Sequence, residues 1–442
     1  MVGVTRNSLA LVELLRAEGA DVTVVETRDT RAAVLPEPET IDVVFVDPYV
    51  GLNARDPWLD RVRAAGVPVS SHADVVVGRA RATTLGVTGT AGKTTTTALA
   101  AHLLRAAGRT VHVAADPLPE TNLWPNYELL ERLDEIGADD VLLAELTSNY
   151  LEFMTVSPDV AVVTNLWPDH EPDHGSFEAY VEAKLTILRH QTADAVALLN
   201  GDDEAVLRHF AAECRGRVAL FGRVDHGESS FVLLEEGRIV ARLGGERVPL
   251  GTIDQHDPFA GNVLGACAAA VVAGAPPEAV AAALPAFAGV PFRRRLVAEV
   301  GGVHAYNDAM AATPVKARVG LGTYPGPVVW IAGGRVRFPG EVLHDSDTAR
   351  GQLAELALAA RDRVRAAVLF GEAAAELRDV LAAAAFEGLV EEEADLAAAA
   401  RRGAELARPG DSLVLAPVYS LPLEARAAFD ELVVAALRSR FR

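Results

Sequence analysis

Leu85-Gly86-Val87-Thr88-Gly89-Thr90-Ala91-Gly92-Lys93-Thr94-Thr95-Thr96-Thr97 decides how this chain reads. The apolar run Thr84–Val87 has the make-up of a β-strand. It enters a Gly-rich turn, then Lys-Thr, then a helical run from Thr97 to Ala107. Phosphate binding requires that order. Gly89 and Gly92 let the backbone approach an anion, and the amides of the turn, from Thr90 to Thr95, point at it from a helix N-terminus. Lys93 reaches the outer phosphates and the Thr94 hydroxyl can ligate Mg²⁺. The strict pattern G-x-x-x-x-G-K-[ST] would need Gly where Val87 stands, so this is the shorter form T-G-T-x-G-K-T. An ordinary Gly-rich strand–helix turn is the bland alternative. The Lys-Thr pair in a strand–helix context favours an ATP site.

Working outward, 442 residues exceed what one hydrophobic core serves, so two or three domains are expected. Half of the residues are hydrophobic and Ala-rich runs favour helices. A net charge of −20 argues against nucleic acid as a partner, because a phosphate-binding groove needs clustered Lys and Arg. The two cysteines, Cys214 and Cys267, make neither a disulfide framework nor a zinc site and fit a reducing cytoplasm. The start of the chain lacks a signal-peptide pattern, and no run approaches the ~20 apolar residues of a membrane span. These features predict a cytoplasmic protein with no membrane partner.

Short β-branched runs alternate with helical periods throughout, which predicts an α/β fold of parallel sheets with crossover helices. Strand candidates are Val22–Val25, Val43–Val46, Thr84–Val87, Val141–Leu143, Val160–Val163, Ala195–Leu199, Val328–Ile331, Ala367–Phe370 and Ser412–Leu415. Gly216 to Gly251 reads as a small β insertion. Boundaries near Arg79–Ala82 and Ala288–Pro291 divide the chain into 1–82, 83–288 and 289–442. The first of these opens with a strand, a tight turn, a helix to Gly19, and Val22–Val25 ending at Glu26, a Rossmann-like half suited to a nucleotide.

The phosphate loop resembles that of the Mur ligases, ATP-dependent amino-acid ligases of peptidoglycan precursor synthesis. Other motifs extend the resemblance. Glu145-Leu146-Thr147-Ser148-Asn149-Tyr150-Leu151 is similar to the family's E-[LT]-S-S-x-Q-L, with Glu145 at the metal-binding acid. A carboxylate there, at a parallel strand's C-terminal edge, can hold the nucleotide's Mg²⁺. Thr164-Asn165-Leu166-Trp167-Pro168-Asp169-His170 resembles T-N-x-x-x-D-H, although Pro172 replaces the Asp two residues after the His. Tyr180-Val181-Glu182-Ala183-Lys184 resembles Y-x-x-A-K. The resemblance makes His170 a metal ligand and Lys184 a carbamylated lysine supporting a second Mg²⁺. By residue type alone, Asp169-His170 and Asp173-His174 also read as a transition-metal cluster or a solvated loop, and His170 as a proton acceptor. Asn200-Gly201-Asp202-Asp203 resembles the family's N-x-D-D turn, with a strand-ending and capping role. Asn262 loosely matches an adenine-contacting Asn, and Glu26-Thr27-Arg28 resembles the family's contact to the uracil of its UDP-sugar substrate.

Toward the C-terminus the resemblance loosens. Pro291-Phe292-Arg293 resembles P-H-R, with Arg293 at a nucleotide-contacting arginine. Tyr306-Asn307-Asp308-Ala309-Met310-Ala311-Ala312-Thr313-Pro314 resembles an Asn-Asp signature in which Asp308 orients ATP. Met310 stands where many D-glutamate-adding members carry Lys. Arg337 replaces a Lys that binds the incoming amino acid's carboxylate, and Ser420 lies in a degraded S-P-A-x-A-S segment whose Ser binds the acceptor. The resemblance covers the chain from about Val2 to Leu432. It implies three domains, the first and last Rossmann-like. It implies a monomer that uses ATP and Mg²⁺ to add an amino acid, glutamate in the closest branch, to a UDP-linked muramoyl carboxylate through an acyl phosphate. A divergent ligase of a specialised pathway and a non-catalytic ATP-binding subunit are the alternatives.

Overall fold

β-Branched and aliphatic runs become strands wherever both faces are covered, and a computed structural model shows which runs do so. It describes residues 1–2, 5–25, 35–48, 56–114, 125–169, 174–257, 259–334 and 347–442. Two compact units result, Met1–Ala288 and Gly289–Arg442.

In the first unit, β1 (Val44–Phe45) and β2 (Val69–Ser70) pair in parallel, and Val2 adds parallel bridges to Val46 and Val25. The helix Arg6–Ala17 follows, its first turn closed by a reciprocal Thr5–Ser8 capping box. Among the described residues, the expected strand Val22–Val25 contributes a bridge at Val25. Its pairing partner is the short start of the chain. Met1 donates its amino group to the Thr23 carbonyl and accepts from the Val25 amide.

The nine-stranded sheet of this unit comprises β3 (Thr83–Thr88), β4 (Val111–Val113), β5 (Val141–Glu145), β6 (Val160–Val163), β7 (Val196–Asn200), β8 (Arg217–Gly222), β9 (Ser230–Glu235), β10 (Arg238–Leu243) and β11 (Glu246–Thr252). Its order is β11-β10-β9-β8-β7-β6-β3-β5-β4. Strands β4 through β9 run parallel, and β9-β10-β11 form an antiparallel meander. The expected insertion at Gly216–Gly251 therefore extends the main sheet. Its continuous apolar run Phe231–Leu234 is buried, and the strand that carries it pairs with β8. β3, β5 and β6 are buried on both faces, as central parallel strands must be. The chain leaves β3 toward β4 on one side and leaves β6 toward β7 on the other. The β3/β6 junction is thus the topological switch point, where α/β sheets hold ligands at their carboxyl edge.

The second unit carries β12 (Arg295–Val300), β13 (Val303–Asn307), β14 (Val328–Gly333), β15 (Val364–Phe370), β16 (Leu389–Glu393) and β17 (Ser412–Val418) in the order β12-β13-β17-β14-β15-β16. Only β12 is antiparallel to its neighbour. Helices Pro314–Leu321, Asp347–Arg363 and Ala374–Ala383 bury Leu321, Leu353 and Leu377 against one face, with Trp330 and Val414. Helices Leu396–Leu406 and Leu423–Arg440 bury Ala400, Phe429 and Val433 against the other, with Ile331 and Leu413. This is a doubly wound α/β layer.

Candidate active site

The loop after β3 turns on two glycines. Gly89 has φ +147° and Gly92 has φ +83°. A Cβ on Gly89 would lie 2.0 Å from the Thr164 hydroxyl, and one on Gly92 would lie 2.0 Å from the Asn262 side-chain oxygen. Side chains are excluded at both positions by conformation and by space. Gly92 is the N-cap of the helix Lys93–Ala106 and offers no side chain to its first amides. Those amides remain available to an anion.

Neighbouring strand ends hold the loop from outside. Asn165 accepts from the Ala91 amide at 2.8 Å and donates to the Ala91 carbonyl at 3.0 Å. Thr164 donates to the same carbonyl at 2.7 Å. The Thr90 hydroxyl lies 3.2 Å from the Trp167 carbonyl and 3.1 Å from the Tyr180 hydroxyl, and it accepts from the Trp167 amide at 3.1 Å. Burial pushes the Tyr180 phenol well above its ordinary range, with the Asp169 charge adding to the effect, so Tyr180 stays a neutral hydrogen-bonding group. Behind this layer, Asn200 donates to the Thr164 carbonyl at 2.8 Å, and Asp203 accepts from the Leu166 amide at 2.9 Å while capping the next helix. The N-x-D-D turn therefore ends a strand, caps a helix and also supports the segment that grips the loop.

Several candidate residues converge here. Lys93 Nζ donates to the carbonyls of Gly89 at 2.9 Å and Thr90 at 3.2 Å. Lys184 sits one helical turn after Tyr180 on the helix Phe177–Arg189 and is almost wholly buried. Its Nζ donates to the same Gly89 carbonyl at 3.0 Å and lies 4.6 Å from the Tyr180 ring centroid. Two lysine nitrogens thus meet on one carbonyl beside the loop, a geometry suited to an anionic ligand. Thr94, in the first turn of the helix, donates to Glu145 Oε2 at 2.7 Å, and both side chains are buried. A hydroxyl and a carboxylate paired at the head of a phosphate loop form an oxygen donor set of the kind Mg²⁺ prefers. Thr95 follows, half-buried, in the same turn. Asn262, distant in sequence, is brought against Gly92, and its carbonyl accepts from Thr96 at 3.3 Å.

His170 lies outside the described residues, as do Glu26, Thr27, Arg28 and Arg337. The second histidine of that segment, His174, is buried and bonds Ser148 at 2.9 Å, with Glu152 3.5 Å from its other nitrogen. Among the described residues no group of three or more His, Cys, Asp or Glu side chains clusters as a metal site.

In the second unit, Asp308 follows β13 and is buried. Its carboxylate accepts from the Tyr324 hydroxyl at 2.9 Å and the Arg294 amide at 3.1 Å. Burial pushes its pKa up, and these hydrogen bonds oppose the shift. Arg293, at the position matched to the nucleotide arginine, lies between Phe292 and Arg294, whose φ values are +59° and +51°. Phe292 is buried in the core, and its carbonyl accepts from Met310 at 3.0 Å. Ser420 lies half-buried just after β17, near Gly334 at the end of β14. Reading the sequence missed Asn165, Tyr180 and Tyr324 as supports. Their signal was a polar or phenolic residue within a few positions of a strand end or a recognised motif.

A sequence profile of the Mur ligase middle domain matches residues 87–269. The chain is 34% identical to a UDP-N-acetylmuramoylalanine--D-glutamate ligase of Symbiobacterium thermophilum, over 98% of this chain and 95% of that protein. It is 32% identical to a protein of the same name from Acidobacterium capsulatum, over 95% and 91%. Among solved structures it resembles the MurF ligase of Thermotoga maritima in complex with ADP, with a TM-score of 0.60 at 17% identity, covering 92% of this chain and 100% of that one. It also resembles the UDP-N-acetylmuramate-alanine ligase MurC of Thermotoga maritima, with a TM-score of 0.58 at 18% identity, covering 99% and 98%.

Proposed function

The chain belongs to the Mur ligase family, and from that premise we propose that it joins D-glutamate to the carboxylate of UDP-N-acetylmuramoyl-L-alanine. ATP is cleaved to ADP and phosphate in the process, and the product is a peptidoglycan precursor. The curated relatives that bear the name of that reaction match nearly the full length of the chain. The single observation carrying the chemistry is the phosphate loop with Thr94 bonded to Glu145.

In this reading the γ-phosphoryl group of ATP passes to the muramoyl carboxylate. The amine of the incoming amino acid attacks the acyl phosphate, phosphate leaves, and the amine proton is lost to the surroundings. Lys93 offsets charge on the transferred group, and the amides from Thr90 to Thr95 bind the phosphates. Asn262 would border the nucleotide, and Arg293 and Asp308 match the family's nucleotide-contacting arginine and ATP-orienting acid. Bound Mg²⁺ would neutralise phosphate charge, and Thr94, Glu145, His170 and Lys184 are the residues that would hold it. Carbamylation would convert Lys184 from an ammonium to an anionic oxygen donor while keeping one N–H for the Gly89 carbonyl. Lys184 is almost wholly buried beside the loop, with its Nζ 3.0 Å from that carbonyl. Glu26, Thr27 and Arg28 would meet the uracil, and Arg337 and Ser420 the acceptor.

The chain would divide functionally into a UDP-substrate domain (1–82), an ATP domain (83–288) and an acceptor domain (289–442). None of the described helices is long and apolar enough to cross a membrane, and Cys214 and Cys267 are both free thiols, which suits a cytoplasmic enzyme. The test crosses UDP-N-acetylmuramoyl-L-alanine with L- and D-amino acids and reads ADP release. Release that needs both the UDP-substrate and D-glutamate is the expected result. Preference for an apolar amino acid would transfer the reading to a specialised ligase, and no ADP release with any acceptor would end it.

A further inference from the structure

His174 has no part in the reaction described above, yet it is almost wholly buried, packed on one of the side chains that grip the phosphate loop. Burying an imidazole calls for polar partners at both ring nitrogens. Both come from one short segment. Nε2 lies 2.9 Å from the Ser148 hydroxyl, and Nδ1 lies 3.5 Å from Glu152 Oε1. Ser148 opens the helix Ser148–Leu151 and Glu152 is its C-cap, so the two side chains stand one turn apart on one face, with the imidazole across them. The carboxylate favours a proton on Nδ1, which leaves Nε2 to the hydroxyl. Asn149 lies 3.3 Å from the same hydroxyl, and a primary amide can present it with a donor. The third contact is made by the face of the ring, whose centroid is 5.5 Å from that of Tyr180 at a tilt of 56°.

What hangs on either side of His174 gives this contact its meaning. On one side, two residues join it to the helix Phe177–Arg189. Gly175 turns the chain at φ +79°, and Ser176 caps the helix by accepting from the Ala179 amide at 3.2 Å. That helix carries Tyr180, 3.1 Å from the Thr90 hydroxyl, and Lys184, 3.0 Å from the Gly89 carbonyl. On the other side, Ser148 lies three residues after Glu145, which accepts from Thr94 at 2.7 Å. Thr90 and Thr94 belong to the same phosphate loop. The contacts therefore close a circuit that runs from Thr90 through Tyr180, His174, the Ser148 segment and Glu145 back to Thr94.

We propose that His174 is a positioning residue for the Mg²⁺-bound nucleotide, holding the Glu145 segment and the Lys184 helix in one frame around the loop. A hydroxyl and a carboxylate hold a cation well only when their separation is fixed in advance, and supporting hydrogen bonds behind such donors tune affinity without touching the ion. His174 supplies that support where Glu145 itself has only three residues of chain before the Ser148 anchor. The imidazole suits the task because one rigid ring meets a hydroxyl, a carboxylate and a phenol at once.

This inference rests on the nucleotide and Mg²⁺ reading above, and its test separates the two. ADP is titrated calorimetrically into wild type, His174→Phe, His174→Gln, Ser148→Ala and the double variant His174→Phe/Ser148→Ala, once with Mg²⁺ and once with EDTA. No acceptor is present, so the outcome does not depend on which amino acid the enzyme joins. In His174→Phe the Kd for ADP in EDTA should stay within about twofold of wild type, while the strengthening by Mg²⁺ should fall roughly tenfold, as when a supporting partner is removed from a metal site. His174→Gln returns an amide to the Ser148 hydroxyl and should recover part of that strengthening. Ser148→Ala should show a similar loss, and the double variant little more than the larger single loss, because both changes break one contact. A thermal melt reports the folding of each variant, and Ser148→Ala, which removes a single oxygen, decides the matter if the ring replacement does not fold. A Mg²⁺ effect unchanged in the folded variants, or ADP affinity that falls equally with and without Mg²⁺, overturns the role of His174 alone. Wild-type ADP affinity indifferent to Mg²⁺ overturns the metal reading and this inference with it.

Discussion

The carboxyl edges of the two large sheets are built on different principles. At the head of the nine-stranded sheet, each candidate residue is fixed by several neighbours. Thr164 and Asn165 hold Ala91, Thr90 meets Trp167 and Tyr180, and Thr94 meets Glu145. At the edge of the six-stranded sheet, the buried polar groups fasten the fold, as Asp308 does through Tyr324 and Arg294. Among the described residues, the contacts at its rim come from different strand ends and a helix. Binding a triphosphate demands backbone amides, a lysine and a hydroxyl in one fixed geometry, which ties residue types to positions. Receiving a carboxylate demands only a cation within reach, and that cation can be supplied from any neighbouring element. The first edge is therefore strict in sequence and the second permissive.

If that contrast is right, the largest effect of any single change lies in the loop. Lys93→Ala should lower turnover by roughly a hundredfold to a thousandfold, the loss seen when one donor to developing charge is removed. The KM for the acceptor should be little changed. Lys93 is half-exposed, and a thermal melt of the variant separates lost chemistry from lost folding. Turnover near wild type in a folded variant would break the comparison at its strict end.

Gly92→Ala should come next. It forces a side chain into φ +83°, at a cost of roughly 1–3 kcal/mol, and drives its Cβ onto the Asn262 amide. Titration with ADP should show affinity weakened by at least about tenfold, since the loop and Asn262 cannot both hold their places. Unchanged ADP affinity would mean that the approach of Asn262 to the loop is incidental to the nucleotide. An alanine at Gly108, where φ is +81° but nothing lies within 4 Å, is the control for strain without collision.

The same contrast governs what could be read before any coordinates. The phosphate loop was legible because its chemistry is contiguous, and Glu145 because an acid ending an apolar run at a parallel strand's edge has few other uses. The layer behind them was not. Asn165 grips Ala91 across 74 positions and Asn200 supports Thr164 across 36. A side-chain-to-backbone bond between strand ends leaves no periodic trace in either strand. Gly216 to Gly251 read as β structure, but short strands do not announce in sequence which sheet edge they will extend.

The smallest expected effect concerns how the buried acid of the second edge is held. Burial raises the Asp308 pKa above the ordinary 3.8. The folded chain then binds more protons than the unfolded chain between 3.8 and that raised value, so stability is greatest below 3.8 and is lost as pH rises through the folded pKa. Asp308→Asn removes the titration. Its carbonyl oxygen can still accept from the Arg294 amide, and the Tyr324 hydroxyl can rotate to accept from its amide group. Hydrogen exchange over β13 and β17 suits the measurement, because the Asp308 amide donates to the Leu415 carbonyl at 2.9 Å and ties the two strand ends together. Taken as a ratio to the variant at each pH, so that intrinsic exchange cancels, wild-type protection should fall as pH is raised from about 4 to about 7. A ratio constant across that range, or one that rises with pH, would mean that Asp308 is not held there against its own charge. The bonds from Tyr324 and the Arg294 amide would then outweigh the cost of burial.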